Sequence, residues 1–228
     1  MEIPGLCISA GCSAWSHLLP IEMRTSPGYT AVVANPDKSN GYEEVAPAFI
    51  AGRGSDRAET GASDVADWSQ MLPQGATVLD LGCGTGVPIS QVLIERGFQV
   101  YGVDASPTMV AAFRARFPDV RIECAAVEES DFFGRTFDGV VAWGLFFLLD
   151  AEVQRRLFAK VAAVLPSGGR FLFTAPSQSC SWADIMTGRT SISLGYEVYR
   201  NALHTEGMSL VETHRDNAGN HYYFVQKT

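Results

Sequence analysis

TVLDLGCGTGVPISQVLIERGFQVYGVDASPTMV, residues Thr77–Val110, decides the fold. Thr77–Leu81 reads as a buried strand, and Gly82, Gly84 and Gly86 follow it at once. Val87–Arg96 has helical spacing, with Pro88 near its first turn and Gly97 just past its end. Phe98–Val103 is a second strand, and Asp104 closes it about twenty residues after the glycines. Parallel sheets hold nucleotides on this plan. Glycine lets the chain turn sharply and approach a ligand closely. The helix N-terminus points N–H groups into the same space, and the strand-end acid accepts from ribose hydroxyls.

The same alternation continues on both sides. Tyr42–Ile50 is helical, with Tyr42, Val45, Ala46 and Phe49 on one face, and a second helix over Ala62–Leu72 ends at Pro73 and Gly75. Ser106 caps a helix that stops before Pro118. Val120–Cys124 is a short strand and Phe137–Trp143 an apolar one suited to a sheet centre. Ala151–Leu165 is a long amphipathic helix, Arg170–Thr174 a strand, and a long polar loop leads to a helix over Tyr196–Thr205. Met208–Thr213 and His221–Gln226 are strands whose short join, HRDNAGN, makes them antiparallel neighbours. The order predicts an α/β fold with a doubly wound, mostly parallel sheet and one antiparallel strand added at the end.

With 228 residues the chain is long enough for one domain with a full core. A formal net charge of −8 argues against a nucleic-acid surface, which needs clustered Lys and Arg. Five cysteines, an odd number without paired C-x-x-C spacing, predict neither a disulfide framework nor a metal site. No apolar run approaches the roughly 18 residues of a membrane span, so a cytoplasmic monomer or homodimer is expected. Residues 1–34 are broken by Pro4, Gly5, Gly11 and Pro20, and Glu2 stands where a signal peptide needs a basic residue. They read as an extension of uncertain order, with translation from Met23 as one alternative, and the domain proper spans 35–228.

The spacing of the turn selects the nucleotide. A dinucleotide fingerprint, G-x-G-x-x-G, requires glycine at position 87, where Val87 stands. The turn is instead G-x-G-x-G, preceded by Asp80. A pyrophosphate would avoid that carboxylate. S-adenosylmethionine carries a sulfonium and an α-amino group, both cationic, and suits it.

VLDLGCGTG followed by VYGVDASPTMV resembles the class I S-adenosylmethionine-dependent methyltransferases, most closely the bacterial small-molecule type, over residues 42–228. The resemblance implies a Rossmann-like, three-layer, seven-stranded sheet in the order 3-2-1-4-5-7-6 with strand 7 antiparallel. It implies that Gly82, Cys83 and Gly84 line the methionine part of the cofactor, beside Asp80. It assigns the ribose to Asp104 and puts Ala105 and Met109 beside the adenine, although Met109 also reads as helix core. The family's third motif usually ends in an acid near the adenine. Here the matched positions are Ala126 and Val127, with Glu128 next to them. Ala142 ends the fourth strand against the cofactor, and Trp143 after it is a substrate wall or core. The Asn/Asp-Pro-Pro-Tyr/Phe signature of methyltransferases acting on DNA amino groups is absent there.

Ligands of such sheets bind beyond the carboxyl ends of the strands. The HRDNAGN turn reaches that face and brings Asn220, His221 and Tyr222 to it, while the loop after the fifth strand carries Trp182, Asp184 and Arg189. Tyr42 and Phe49 are candidates for a lid. His221 is a candidate base, because histidine titrates near neutral pH; holding the hairpin together is its alternative role. His204 and His214 read as surface histidines, and His17 falls in the extension.

The expected function is methyl transfer from S-adenosylmethionine to a small organic molecule, without metal. Three alternatives stay open: non-methylating use of the same cofactor, a cofactor-binding subunit without activity, and a nicotinamide dehydrogenase.

Overall fold

Strands buried on both faces form the centre of the molecule. The computed structural model describes residues 37–52, 61–216 and 219–228. The extension, residues 1–34, lies outside them. In chain order the elements are α1 (Tyr42–Gly52), α2 (Ala62–Ser69), β1 (Thr77–Leu81), α3 (Ile89–Glu95), β2 (Gln99–Asp104), α4 (Pro107–Arg116), β3 (Arg121–Cys124) and β4 (Gly139–Ala142). There follow α5 (Ala151–Val164), β5 (Arg170–Thr174), β6 (Cys180–Ala183), β7 (Thr190–Ser193), α6 (Tyr196–Thr205), β8 (Met208–Arg215) and β9 (His221–Lys227).

Seven strands form one sheet in the order β3-β2-β1-β4-β5-β9-β8. The first five are parallel, and β9 runs antiparallel to both of its neighbours. With β8 and β9 counted as sheet strands six and seven, this is the order 3-2-1-4-5-7-6 expected from the sequence.

Alternate residues of the central strands feed opposite layers. Leu79, Val140, Ala142, Phe171 and Phe173 pack with Leu157, Phe158 and Val161 of α5 and Tyr199 and Leu203 of α6. Val78, Val141 and Leu172 face Val65 and Trp68 of α2 and Ile89 and Leu93 of α3 on the other side. Within the first layer Phe173 and Tyr223 are register partners, with stacked rings 4.5 Å apart. Such a pair adds about 0.5–1.5 kcal/mol beyond its burial and ties β9 to the sheet.

The segment after β5, expected as a polar loop, contains an antiparallel ribbon in which Cys180 pairs with Ser193 and Ala183 with Thr190. Its inward residues on β7 are Ser191 and Ser193, both buried. Serine replaces the apolar half of the alternation, so the strand has no hydrophobic pattern. Hydrogen bonds hold it instead. Ser193 Oγ donates to the Pro176 carbonyl at 2.6 Å, and the buried Gln154 of α5 donates to the Ile192 carbonyl at 2.9 Å.

Candidate functional site

The turn after β1 is tied to the end of β2. Gly82 and Cys83 both donate their N–H groups to the Val103 carbonyl, at 2.8 and 3.2 Å. Gly84 has a φ of 53°, in the left-handed region where a side chain is strained. There its N–H meets Asp104 Oδ2 at 2.8 Å, while Ser106 N–H meets Oδ1 at 2.8 Å. Both oxygens are thus fixed by main chain, each with a lone pair left over. Burial raises the Asp104 carboxyl above its ordinary value despite these two bonds.

Asp80 is buried one strand over, and Ser90 Oγ donates to its Oδ2 at 2.6 Å. Burial pushes its pKa up to about 7, the Ser90 bond opposes this, and the Asp104 charge adds to it. A carboxylate held this way at a cavity wall is stabilised by a cationic ligand.

Asp80 and Asp104 face a cavity of about 860 Å³. Its walls come from the carboxyl ends of β1 to β5 and the start of the antiparallel β9, the edge where the sequence argument put the ligand. Gly82, Cys83, Gly84, Ala105, Met109, Ala126 and Val127 line it together with the two acids. Ala142 does not. It is fully buried in β4 and packs into the core below the cavity.

Of the residues expected around a substrate, Tyr42, Trp143, Trp182 and Asn220 line the cavity, as does His221. Tyr222 is completely buried instead, because its side chain turns away from the cavity in the alternation of β9. Its hydroxyl accepts from Trp143 Nε1 at 3.2 Å and donates to Asp216 Oδ2 at 3.0 Å. Asp216 also accepts from the Asn220 main chain and side chain, both at 2.8 Å. Tyr222 therefore holds the wall rather than forming it. Arg189 does not line the cavity either. It pairs with Asp37 at 2.9 Å and Glu44 at 3.2 Å, joining the ribbon turn to the segment leading into α1.

His221 Nε2 is buried, and among the described residues nothing hydrogen-bonds to it. Desolvation, then the positive charges of Arg215 and His214, lower its pKa from the ordinary histidine value. His214 pairs with Asp64 at 3.3 Å. His17 lies outside the described residues.

Several contributions escaped the sequence reading. Lys38, Ser39 and Asn40 line the cavity ahead of α1. Glu43 of α1 accepts from Ser106 Oγ, from Thr108 N–H at 3.1 Å and from Thr108 Oγ1 at 2.7 Å. The Ser106 bond leads the causes that hold its carboxyl below the ordinary range, and the acid sits at the positive end of α4. Glu128, which the sequence already offered in place of the third-motif acid, lines the cavity; its pairing with Lys38 at 3.2 Å was not foreseen. Lys160 of α5 donates to the carbonyls of Val127, Glu128 and Ser130 at 2.7, 3.0 and 2.7 Å. One signal was readable: the apolar run GLFFLLD after β4, which supplies Leu145, Phe147, Leu148 and Leu149 to the wall. Among the described residues no group of three His, Cys, Asp or Glu is placed to hold a metal. No helix there is long and apolar enough to cross a membrane.

Residues 78–169 match the family model described as a methyltransferase domain. An uncharacterized methyltransferase of Mycobacterium tuberculosis is 36% identical over 105 residues, 46% of this chain and 41% of that protein. The dTDP-3-amino-3,4,6-trideoxy-alpha-D-glucopyranose N,N-dimethyltransferase of Streptomyces venezuelae is 32% identical over 131 residues, 56% of this chain and 54% of that one. The chain thus spans about half the length of these curated relatives. Among solved structures, a SAM-bound amino pentose methyltransferase from Micromonospora echinaspora superposes with a TM-score of 0.64 at 22% identity, covering 81% of this chain and 97% of that one. Residues 78–169 thus match a methyltransferase domain, and the chain shares the Rossmann-like fold of that solved methyltransferase.

Proposed function

We propose that the chain is an S-adenosylmethionine-dependent methyltransferase acting on a small organic molecule. One observation carries the reading. Two carboxylates, the buried Asp80 and the partly buried Asp104, stand at the ends of neighbouring parallel strands around a glycine turn and face one cavity. Asp80 repels a phosphate and favours a cation. The amino-sugar methyltransferases it resembles support a small acceptor.

When bound, S-adenosylmethionine supplies a methyl group on a positively charged sulfur. Gly82, Cys83 and Gly84 offer main chain to its methionine part, next to Asp80. Asp104 accepts from the ribose. Ala105, Met109, Ala126 and Val127 enclose the adenine, with Glu128 beside them and Ala142 supporting the floor. Trp143, Trp182 and Tyr42 exclude water and restrict the acceptor, and restriction of this kind supplies much of a transfer's acceleration. Arg189, paired as it is, contributes by holding the ribbon. His221, its pKa lowered by burial, takes through its imidazole the proton that an acceptor O–H or N–H gives up, and Asn220 orients that group. Tyr222 fixes both Trp143 and, through Asp216, Asn220.

In this reading the working domain is 35–228 and residues 1–34 are an extension. The chain acts in the cytoplasm as a monomer or homodimer, on neither nucleic acid nor membrane, in keeping with its net charge of −8. The test is a metabolite extract incubated with methyl-labelled S-adenosylmethionine and read by mass spectrometry. A labelled small molecule together with S-adenosylhomocysteine is expected. Cofactor consumption without any labelled product would count against methyl transfer.

A further inference from the structure

We infer that the acceptor is a molecule with an apolar ring body and no anionic substituent. The inference rests on the methyltransferase reading above and adds the substrate class. Two features of the cavity carry it.

The first is the apolar wall. Trp182 of β6 and Phe147 lie 5.6 Å apart between ring centroids, and both line the cavity. At the ribbon turn Ile185 is 93% exposed and Met186 40% exposed, and both also line the cavity. An isoleucine left in water at the mouth of a cavity is apolar area that a ligand can cover.

The second feature is charge. Asp80, Asp104 and Glu128 on the wall face the cofactor, which leaves Asp184 as the lining acid beside Trp182. Among the described lining residues Lys38 alone is a lysine or arginine, and it is engaged by both Glu128 and Glu129, at 3.2 and 3.5 Å. Arg189, the nearest other cation in the ribbon, is spent on Asp37 and Glu44. Among the described lining residues a carboxylate or phosphate on the acceptor would find no unpaired lysine or arginine and would meet Asp184, a juxtaposition that discriminates against it.

A matched pair of probes tests this in protein saturated with S-adenosylhomocysteine, whose own binding is measured first by calorimetry. The pair is 2-naphthol and 6-hydroxy-2-naphthoate, which share ring and hydroxyl and differ by one carboxylate. Thymidine diphosphate glucose is the third probe. We expect 2-naphthol to bind at least roughly tenfold more tightly than either anion. We also expect Trp182→Ala to weaken 2-naphthol about fivefold or more while leaving S-adenosylhomocysteine affinity within about twofold. Equal or tighter binding of either anion overturns the inference. So does 2-naphthol binding that is absent, or indifferent to Trp182→Ala, in protein that binds S-adenosylhomocysteine. Failure to bind S-adenosylhomocysteine is a different result and counts against the methyltransferase reading itself.

Discussion

The N–H of Gly84 meets the carboxylate of Asp104 at 2.8 Å, so the turn after β1 and the acid after β2 are one rigid unit. This bond fixes the acid before any ligand arrives. Asp104→Ala should therefore lose about 1–3 kcal/mol of cofactor binding, the worth of a hydrogen bond to a charged group. Asp104→Asn, which keeps the shape but weakens acceptance, should fall in between. Isothermal titration of S-adenosylhomocysteine measures both. Wild-type affinity in the alanine variant would remove Asp104 from the ribose role.

Asp80 makes cofactor binding depend on pH. Its folded pKa, about 7, lies above its ordinary value of 3.8, so the free protein favours the protonated acid. The sign follows from that. Asp80 supports folding of the free protein below its ordinary value, and this contribution is lost as pH rises through about 7. A cationic ligand reverses the preference and expels the proton. Binding of S-adenosylmethionine a unit below that pKa should release close to one proton, and a unit above it almost none. Calorimetry in buffers of different ionisation enthalpy reads this number. Asp80→Asn should abolish the release and stabilise the free protein on the alkaline side.

Lys160 holds the loop after β3 by donating to the carbonyls of Val127, Glu128 and Ser130. Lys160→Met leaves three acceptors short of a donor in a partly buried place, so about 1–3 kcal/mol of stability should be lost. Cofactor affinity should fall with it, because Val127 and Glu128 are on that loop. Thermal melts and titration of S-adenosylhomocysteine check the two effects together. A stable variant with unchanged affinity would show that the loop holds its shape without the lysine.

The contrast between the glycine turn and Lys160 explains what was legible in the sequence. Gly82, Gly84, Gly86, Asp80 and Asp104 are dictated by local backbone geometry within one strand–turn–helix–strand unit, so spacing alone revealed them. Alternation of strands and helices made the mostly parallel, doubly wound sheet legible, while its strand order came from the family resemblance. The pieces that missed depend on distant partners. Lys160 binds a loop some thirty residues back, Lys38 pairs with Glu128 across ninety residues, and Arg189 with Glu44 across 145. Tyr222 looked like a wall residue because only the register of β9 shows which way it faces. The β6–β7 ribbon was hidden because buried serines carry no hydrophobic period.

His221 lines the cavity, and burial and neighbouring positive charges lower its pKa. His221→Gln should lower kcat by roughly 10²-fold or more if its imidazole takes the acceptor's proton. Cofactor affinity should not change. Because burial and the neighbouring positive charges depress its pKa, the activity of the wild-type enzyme should persist below the ordinary histidine value before it falls. Steady-state kinetics across the acidic range measure both. Unaltered turnover in the glutamine variant would leave the histidine only a packing role in the hairpin.

The central claim, that Asp80 and Asp104 frame a site for S-adenosylmethionine and not for a dinucleotide, has a direct test. Calorimetric titration of the purified chain near neutral pH with S-adenosylmethionine, S-adenosylhomocysteine and NAD compares the three ligands under one condition. The account predicts saturable one-to-one binding of the first two and none of the third. Saturable binding of NAD, or no heat with either sulfur nucleotide in a cooperatively folded sample, would contradict it.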